Sequence, residues 1–110
     1  MIIRLFSAKV CPGKQAEFKQ VLELLSLPEI QSKKGMIAFY PGQPLGPESD
    51  EFILVTVWKN QPGKENLSRE EWAKMVFPAE AFSLLEEWNV HGYRSFGIFE
   101  QPLKPIFNNI

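Results

Sequence analysis

The run Phe52-Ile53-Leu54-Val55-Thr56-Val57-Trp58-Lys59 limits what this chain can become more than any other segment. An unbroken series of β-branched and aromatic residues favours extended backbone. A strand sends alternate side chains to opposite faces. One face then carries Phe52, Leu54, Thr56 and Trp58, and the other Ile53, Val55, Val57 and Lys59. Both faces are apolar until the last residue, so both need cover. Either one left in water would expose an apolar patch of roughly several hundred Å², large for a monomer. A chain of 110 residues makes one domain with a modest core. Helices of the same chain can cover one face. The simplest cover for the other is a second copy of the same sheet, so a homodimer with facing sheets is expected.

The rest of the chain supplies the other elements. Residues 1–10 read as a strand, with Ile2, Arg4, Phe6, Ala8 and Val10 on one face and Ile3, Leu5, Ser7 and Lys9 on the other. Cys11-Pro12-Gly13 marks a turn. Phe18, Val21, Leu22 and Leu25 then recur at helical spacing, and Pro28 predicts an end near Leu27 or one further turn toward Lys34. Met36–Tyr40 reads as a second strand, and Pro41–Glu51 as a loop rich in proline and glycine. A loop is expected over residues 60–66. Ser68-Arg69-Glu70-Glu71 fits a capping box. The helix that follows is expected in two pieces around Pro78, about 69–76 and about 79–88, the second with Ala81, Leu84, Leu85 and Trp88 as its stripe. Asn89–Gly92 reads as a turn and Tyr93–Glu100 as the last strand.

The order β-α-β-β-α-β predicts an α+β, ferredoxin-like fold: a four-stranded antiparallel sheet with its helices on one face. Residues 1–100 are expected to form one domain, and residues 101–110 a tail that either braces a dimer partner or frays.

Composition excludes several functions. The net charge is −1 and the basic residues are scattered, so nucleic acid is not an expected partner. The single cysteine, Cys11, allows no intramolecular disulfide and argues against a zinc cluster, so no metal is expected. The opening residues, broken by Arg4 and Lys9, are too short an apolar run for a signal peptide or a membrane span, so no membrane association and a cytoplasmic location are expected. No dinucleotide fingerprint, P-loop, zincin helix or nucleophile elbow is present.

Val10-x-Pro12-Gly13-Lys14-x-x-Glu17-Phe18 after the first strand, and Val55-x-Val57-Trp58-Lys59-Asn60 ending the third, resemble the antibiotic biosynthesis monooxygenase domain. That family belongs to the dimeric α/β-barrel superfamily. The resemblance spans residues 1 to about 100 and implies a pocket between the sheet and the helices of one protomer, lined by Trp58. It implies activities that range from metal- and flavin-free oxygenation of phenols and quinols to haem degradation and quinone chemistry. The haem-degrading branch uses an asparagine on the first strand and a histidine on the helix after the third. Phe6 replaces the asparagine, and no histidine lies between Lys59 and Val90, so haem degradation is the less favoured expectation.

Cofactor-free oxygenation needs a substrate that becomes an electron-rich anion. It also needs a dry aromatic pocket, a base or acceptor for the proton, and a donor or cation for the oxyanion. The catalytic candidates are Trp58, His91 and Tyr40. Trp58 could stack on a flat substrate, or be a core tryptophan whose N–H is satisfied at the sheet edge. His91 is the only histidine, and Tyr40 ends the second strand, where it is equally an interface residue. Substrate-binding candidates are Phe6, Arg4, Arg94, Trp72, Phe77 and Phe82. The arginines lie on neighbouring strands and could hold an anionic oxygen, or pair with Glu51 or Glu100. Trp72, Met75, Phe77 and Phe82 could line a helical wall or simply be core.

The expected function is a cofactor-independent monooxygenase for a small aromatic or quinone-like molecule. The alternative is a non-catalytic module of the same fold that binds a small apolar ligand or only dimerises.

Overall fold

A computed structural model describes residues 1–59 and 67–97. Strand β1 (Ile2–Val10) leads into a continuous helical segment made of α1 (Gln15–Val21), a π-helical stretch (Leu22–Ser26) and α2 (Leu27–Gln31). Next come β2 (Met36–Gly42), β3 (Glu51–Trp58), α3 (Arg69–Val76), the short α4 (Ala79–Phe82) and β4 (Leu85–Arg94). The sheet order is β2-β3-β1-β4 and every pairing is antiparallel, which is the ferredoxin-like arrangement. The expected loop at 60–66, the tail at 101–110, and Glu100 as an arginine's partner lie outside the described residues.

The two faces of β3 separate as its alternation requires. Phe52, Leu54, Thr56 and Trp58 point toward the helices and are buried. Beside them on β1 are Ile2, Phe6, Ala8 and Val10, and on β4 Val90. Phe18, Leu22 and Ile30 cover this face from the first helical segment, and Trp72, Ala73, Val76 and Phe77 cover it from α3. Each such side chain contributes roughly 1.5–3 kcal/mol by leaving water. The aromatic rings meet edge to face, Phe6 on Phe77 at 5.7 Å and Phe18 on Phe52 at 5.2 Å.

None of the described helices lies over the other sheet face. Ile53 (41% exposed), Tyr40 (61%) and Tyr93 (52%) stand there beside half-buried Ile3, Leu5, Val55 and Val57.

Two expectations need correction. Of the two ends expected for the first helical segment, it takes the later, one further turn past Leu27 to Gln31, but its apolar stripe is not the expected one. Pro28 is accommodated because it falls in the first turn of α2, directly after the π stretch, where its missing N–H costs little. The extra residue of the π turn also rotates the helix. Leu25, expected in the apolar stripe, is 46% exposed, and Ser26 is buried in its place between Leu22 and Ile30.

The second correction concerns residues 83–100. Helix α4 ends at Phe82, and Leu85–Arg94 is strand rather than helix and turn. Leu84, Leu85 and Trp88 have helical spacing, but pairing along the whole of β1 overrides it. Asn89 lies opposite Ser7, and Gly92 opposite Arg4, in mid-strand. The last strand therefore starts eight residues earlier than the expected Tyr93.

Candidate functional site

Arg4 is a cation placed on the helix-facing side of a central strand. Its Cα partners are Thr56 on β3 and Gly92 on β4. An arginine cannot stand upright among the core side chains, so it lies sideways across β4. A glycine makes this possible. A Cβ on Gly92 would collide with Arg4 Nη1 and come within 2.9 Å of Cζ. On its other side the guanidinium stacks on the Trp72 ring, with Cζ 4.4 Å from the centroid. The cation is thus held between a strand backbone and an indole.

Two features of this pair stand out. Arg4 Nε and Trp72 Nε1 are both buried donors without a hydrogen-bond partner. Burial also lowers the Arg4 pKa from its ordinary value, because desolvation disfavours the charged form. The ion pairs among the described residues are Lys9–Glu86, Lys14–Glu17 and Lys33–Glu29, and none includes Arg4 or Arg94. The expected pairing with Glu51 fails on register, since Glu51 lies opposite Lys9 at the far end of β1.

Trp58 sits next to this pair, its ring 5.1 Å from that of Trp72 and nearly perpendicular to it. It is buried, and its Nε1 donates to Thr56 Oγ1 at 2.8 Å. Thr56 Oγ1 in turn donates to the Arg4 carbonyl at 3.4 Å. A threonine in an otherwise apolar strand thus links the tryptophan to β1.

An open pocket of ≈ 260 Å³ adjoins Arg4, lined by Ile2, Arg4, Gly92, Tyr93 and Arg94. Arg94 lies opposite Ile2, on the same sheet face as Arg4. Among the described residues, no carboxylate lines this pocket. A separate, more apolar pocket of ≈ 180 Å³ lies where Leu22 and Leu27 meet Pro41 and Phe52, away from both arginines.

The remaining candidates fall into two groups. Phe6, Phe77 and Phe82 form a chain of edge-on ring contacts that ends on Trp88 and fills the space between sheet and helices. Tyr40 and His91 are exposed on the outer sheet face, opposite Val55 and Leu5, so the sheet separates both from Trp58. The structure therefore brings Arg4, Arg94, Trp58 and Trp72 together and leaves Tyr40 and His91 on the other side. Among the described residues no group of histidine, cysteine and carboxylate side chains could hold a metal ion. No helix there is long and apolar enough to cross a membrane.

Gly92 and Thr56 were not legible as site residues. Glycine after histidine resembles a turn, and a threonine within a strand is unremarkable. The available signal was Arg4 itself: a long cation on an inward position needs a neighbour without a side chain.

Comparisons with known proteins agree with this architecture. A candidate antibiotic biosynthesis monooxygenase from Deinococcus radiodurans superposes with a TM-score of 0.68 at 12% identity, over 93% of this chain and 99% of its own. A Nitrosomonas europaea protein of unknown function gives 0.65 at 19% identity, over 94% and 95%. A variant of MhuD carrying two manganese protoporphyrin IX molecules per active site gives 0.63 at 12%, over 92% and 100%. These likenesses show the shared fold. No curated protein matches the sequence. The family model for antibiotic biosynthesis monooxygenase matches residues 1–76, from β1 through α3, and the chain belongs to that family.

Proposed function

We propose that this chain is a cofactor-independent monooxygenase that binds a small aromatic or quinol-type molecule as its anion beside Arg4. The observation that carries the reading is the Arg4–Trp72 pair: a partly buried cation and an indole in contact, each with an unpartnered buried N–H. A positive charge at the edge of a pocket whose described lining has no carboxylate favours an ionised oxygen acceptor.

Arg4 supplies the chemistry that oxygenation needs first. A phenol is a poor electron donor to O₂ and a phenolate a good one. A cation beside the hydroxyl lowers its pKa and increases the phenolate fraction. The phenolate passes an electron to O₂, and the resulting radicals join at a ring carbon as a hydroperoxide. Loss of water gives the quinone. In balance, a phenol and O₂ yield a quinone and one water: one oxygen atom enters the ring, and the other leaves with the two hydrogens lost. The proton from the hydroxyl goes to solvent, since no titratable base among the described residues faces Arg4. Trp58 and Trp72 are buried behind Arg4 rather than in the pocket: Trp72 backs the guanidinium, Trp58 packs on Trp72, and the Thr56 bond holds Trp58 in orientation.

The uncovered outer face supports a homodimer in which two such faces meet, consistent with the architecture common in this family. Tyr40 and His91 then belong to the interface rather than to the reaction. The porphyrin held by the MhuD variant is not carried over, because Phe6 is wholly buried in the core at the position where haem degraders use an asparagine.

Oxygen consumption with a panel of hydroquinones and naphthols tests the reading. Uptake is expected, with Arg4→Gln reducing kcat/KM about a hundredfold and Arg4→Lys restoring part of it. No uptake across the panel would favour the non-catalytic ligand-binding module.

A further inference from the structure

Resting on that reading of Arg4, we infer that the pocket selects a single-ring aromatic acid, with its carboxylate on Arg94 and its ring oxygen on Arg4. Both guanidinium groups belong to the same sheet face and line the same ≈ 260 Å³ pocket. Neither forms an ion pair with a described residue, and the described lining contains no acidic side chain. Two like charges in one concavity repel each other until an anion enters, while the chain as a whole is slightly acidic. The cations are therefore local to this spot and do not reflect a generally basic protein.

The lining sets the rest of the ligand. Ile2 offers an apolar edge for a ring, beside Gly92, across which Arg4 lies. The volume lies just under the range of roughly 300–1,000 Å³ usual for small-molecule sites, which suits one ring rather than several. Arg94 is exposed and Arg4 is partly buried, so the carboxylate stays at the mouth and the less hydrated oxygen goes inward. A guanidinium matches a carboxylate with two parallel hydrogen bonds, a geometry that a lysine could not provide. Gly92 acts as a positioning residue: a methyl group there would push the Arg4 guanidinium off the strand.

Isothermal titration with salicylate, its uncharged relative salicylamide, and inorganic phosphate tests the assignment. Salicylate is expected to bind at least about tenfold tighter than either of the others, and more weakly as salt rises. Arg94→Gln, a surface change that leaves folding intact, is expected to remove that preference. Gly92→Ala is expected to weaken salicylate about tenfold while the thermal midpoint stays within a few degrees. Equal binding of salicylate and salicylamide, phosphate binding as tight as salicylate, or salicylate affinity indifferent to Arg94→Gln overturns the inference. Oxygen uptake from hydroxylated benzoic acids that ignores Arg94→Gln would also overturn it, yet leave the Arg4 reading intact. Salicylate binding without oxygen uptake on any hydroxylated acid would leave this assignment standing and remove the oxygenase.

Discussion

Replacing Ile53 by aspartate tests whether the bare sheet face is an interface. Ile53 lies on β3, an interior strand of the sheet, packed over Gly42, and is 41% exposed in the single chain. Fully burying an isoleucine contributes roughly 1.5–3 kcal/mol, so covering the remaining two-fifths contributes about 0.6–1.2 kcal/mol. A two-fold axis brings the residue in twice, which doubles the loss to about 1–2.5 kcal/mol per dimer. The larger effect is the charge. Aspartate is too short to reach water from the middle of a sheet, and each desolvated, unpaired carboxylate costs at least ~1–3 kcal/mol. Together the two effects weaken association by about 3 kcal/mol or more, at least a hundredfold in Kd. Sedimentation velocity over a dilution series reads this directly. The wild type should sediment as a dimer at micromolar concentration, and Ile53→Asp as a folded monomer, with circular dichroism confirming that the monomer is intact. A wild-type monomer, or an Ile53→Asp dimer of unchanged affinity, would refute the reasoning.

Ser26 is wholly buried with its hydroxyl unpartnered, so Ser26→Ala should stabilise the fold by about 1 kcal/mol and raise Tm by roughly 4 °C in a thermal melt. Ser68 closes a capping box with Glu71 at 3.1 and 2.8 Å, so Ser68→Ala should cost about 1 kcal/mol and lower the urea midpoint without changing the m-value. Burial lowers the Arg4 pKa, but from an ordinary value far above neutrality, so the guanidinium keeps its charge across the neutral range. Salicylate affinity should therefore stay flat between about pH 6 and 9 in titrations, where a histidine-dependent site would decline.

Clean alternation makes two of the strands legible from residue order alone. β1 and β3 appear where their pattern puts them, with the expected partition of faces, and the capping box at Ser68 starts α3. The region after Ala81 was not legible, because its apolar spacing suits a helix and Glu86-Glu87 favours one locally. What decides for strand is the free edge of β1, a partner some eighty residues away. The same long-range pairing explains Gly92, which looks like a turn until Arg4 is laid across it. Arg4 and Arg94 were identifiable as neighbours because a ferredoxin-like order makes strands one and four adjacent. Whether an acid neutralised them was not, since ion pairing depends on register, and register placed Glu51 beside Lys9 instead.

The π stretch at Leu22–Ser26 bears on how the length of this chain can vary. A turn closed from i to i+5 holds one residue more than an α turn, so this helix carries a spare residue between two well-oriented segments. Deleting one residue there lets the helix close into plain α form with Phe18 and Ile30 still facing the sheet. The same deletion within Gln15–Val21 would swing everything after it by about 100° and turn the apolar stripe away. Tolerance to insertion and loss is therefore concentrated in a single turn of an otherwise rigid layer.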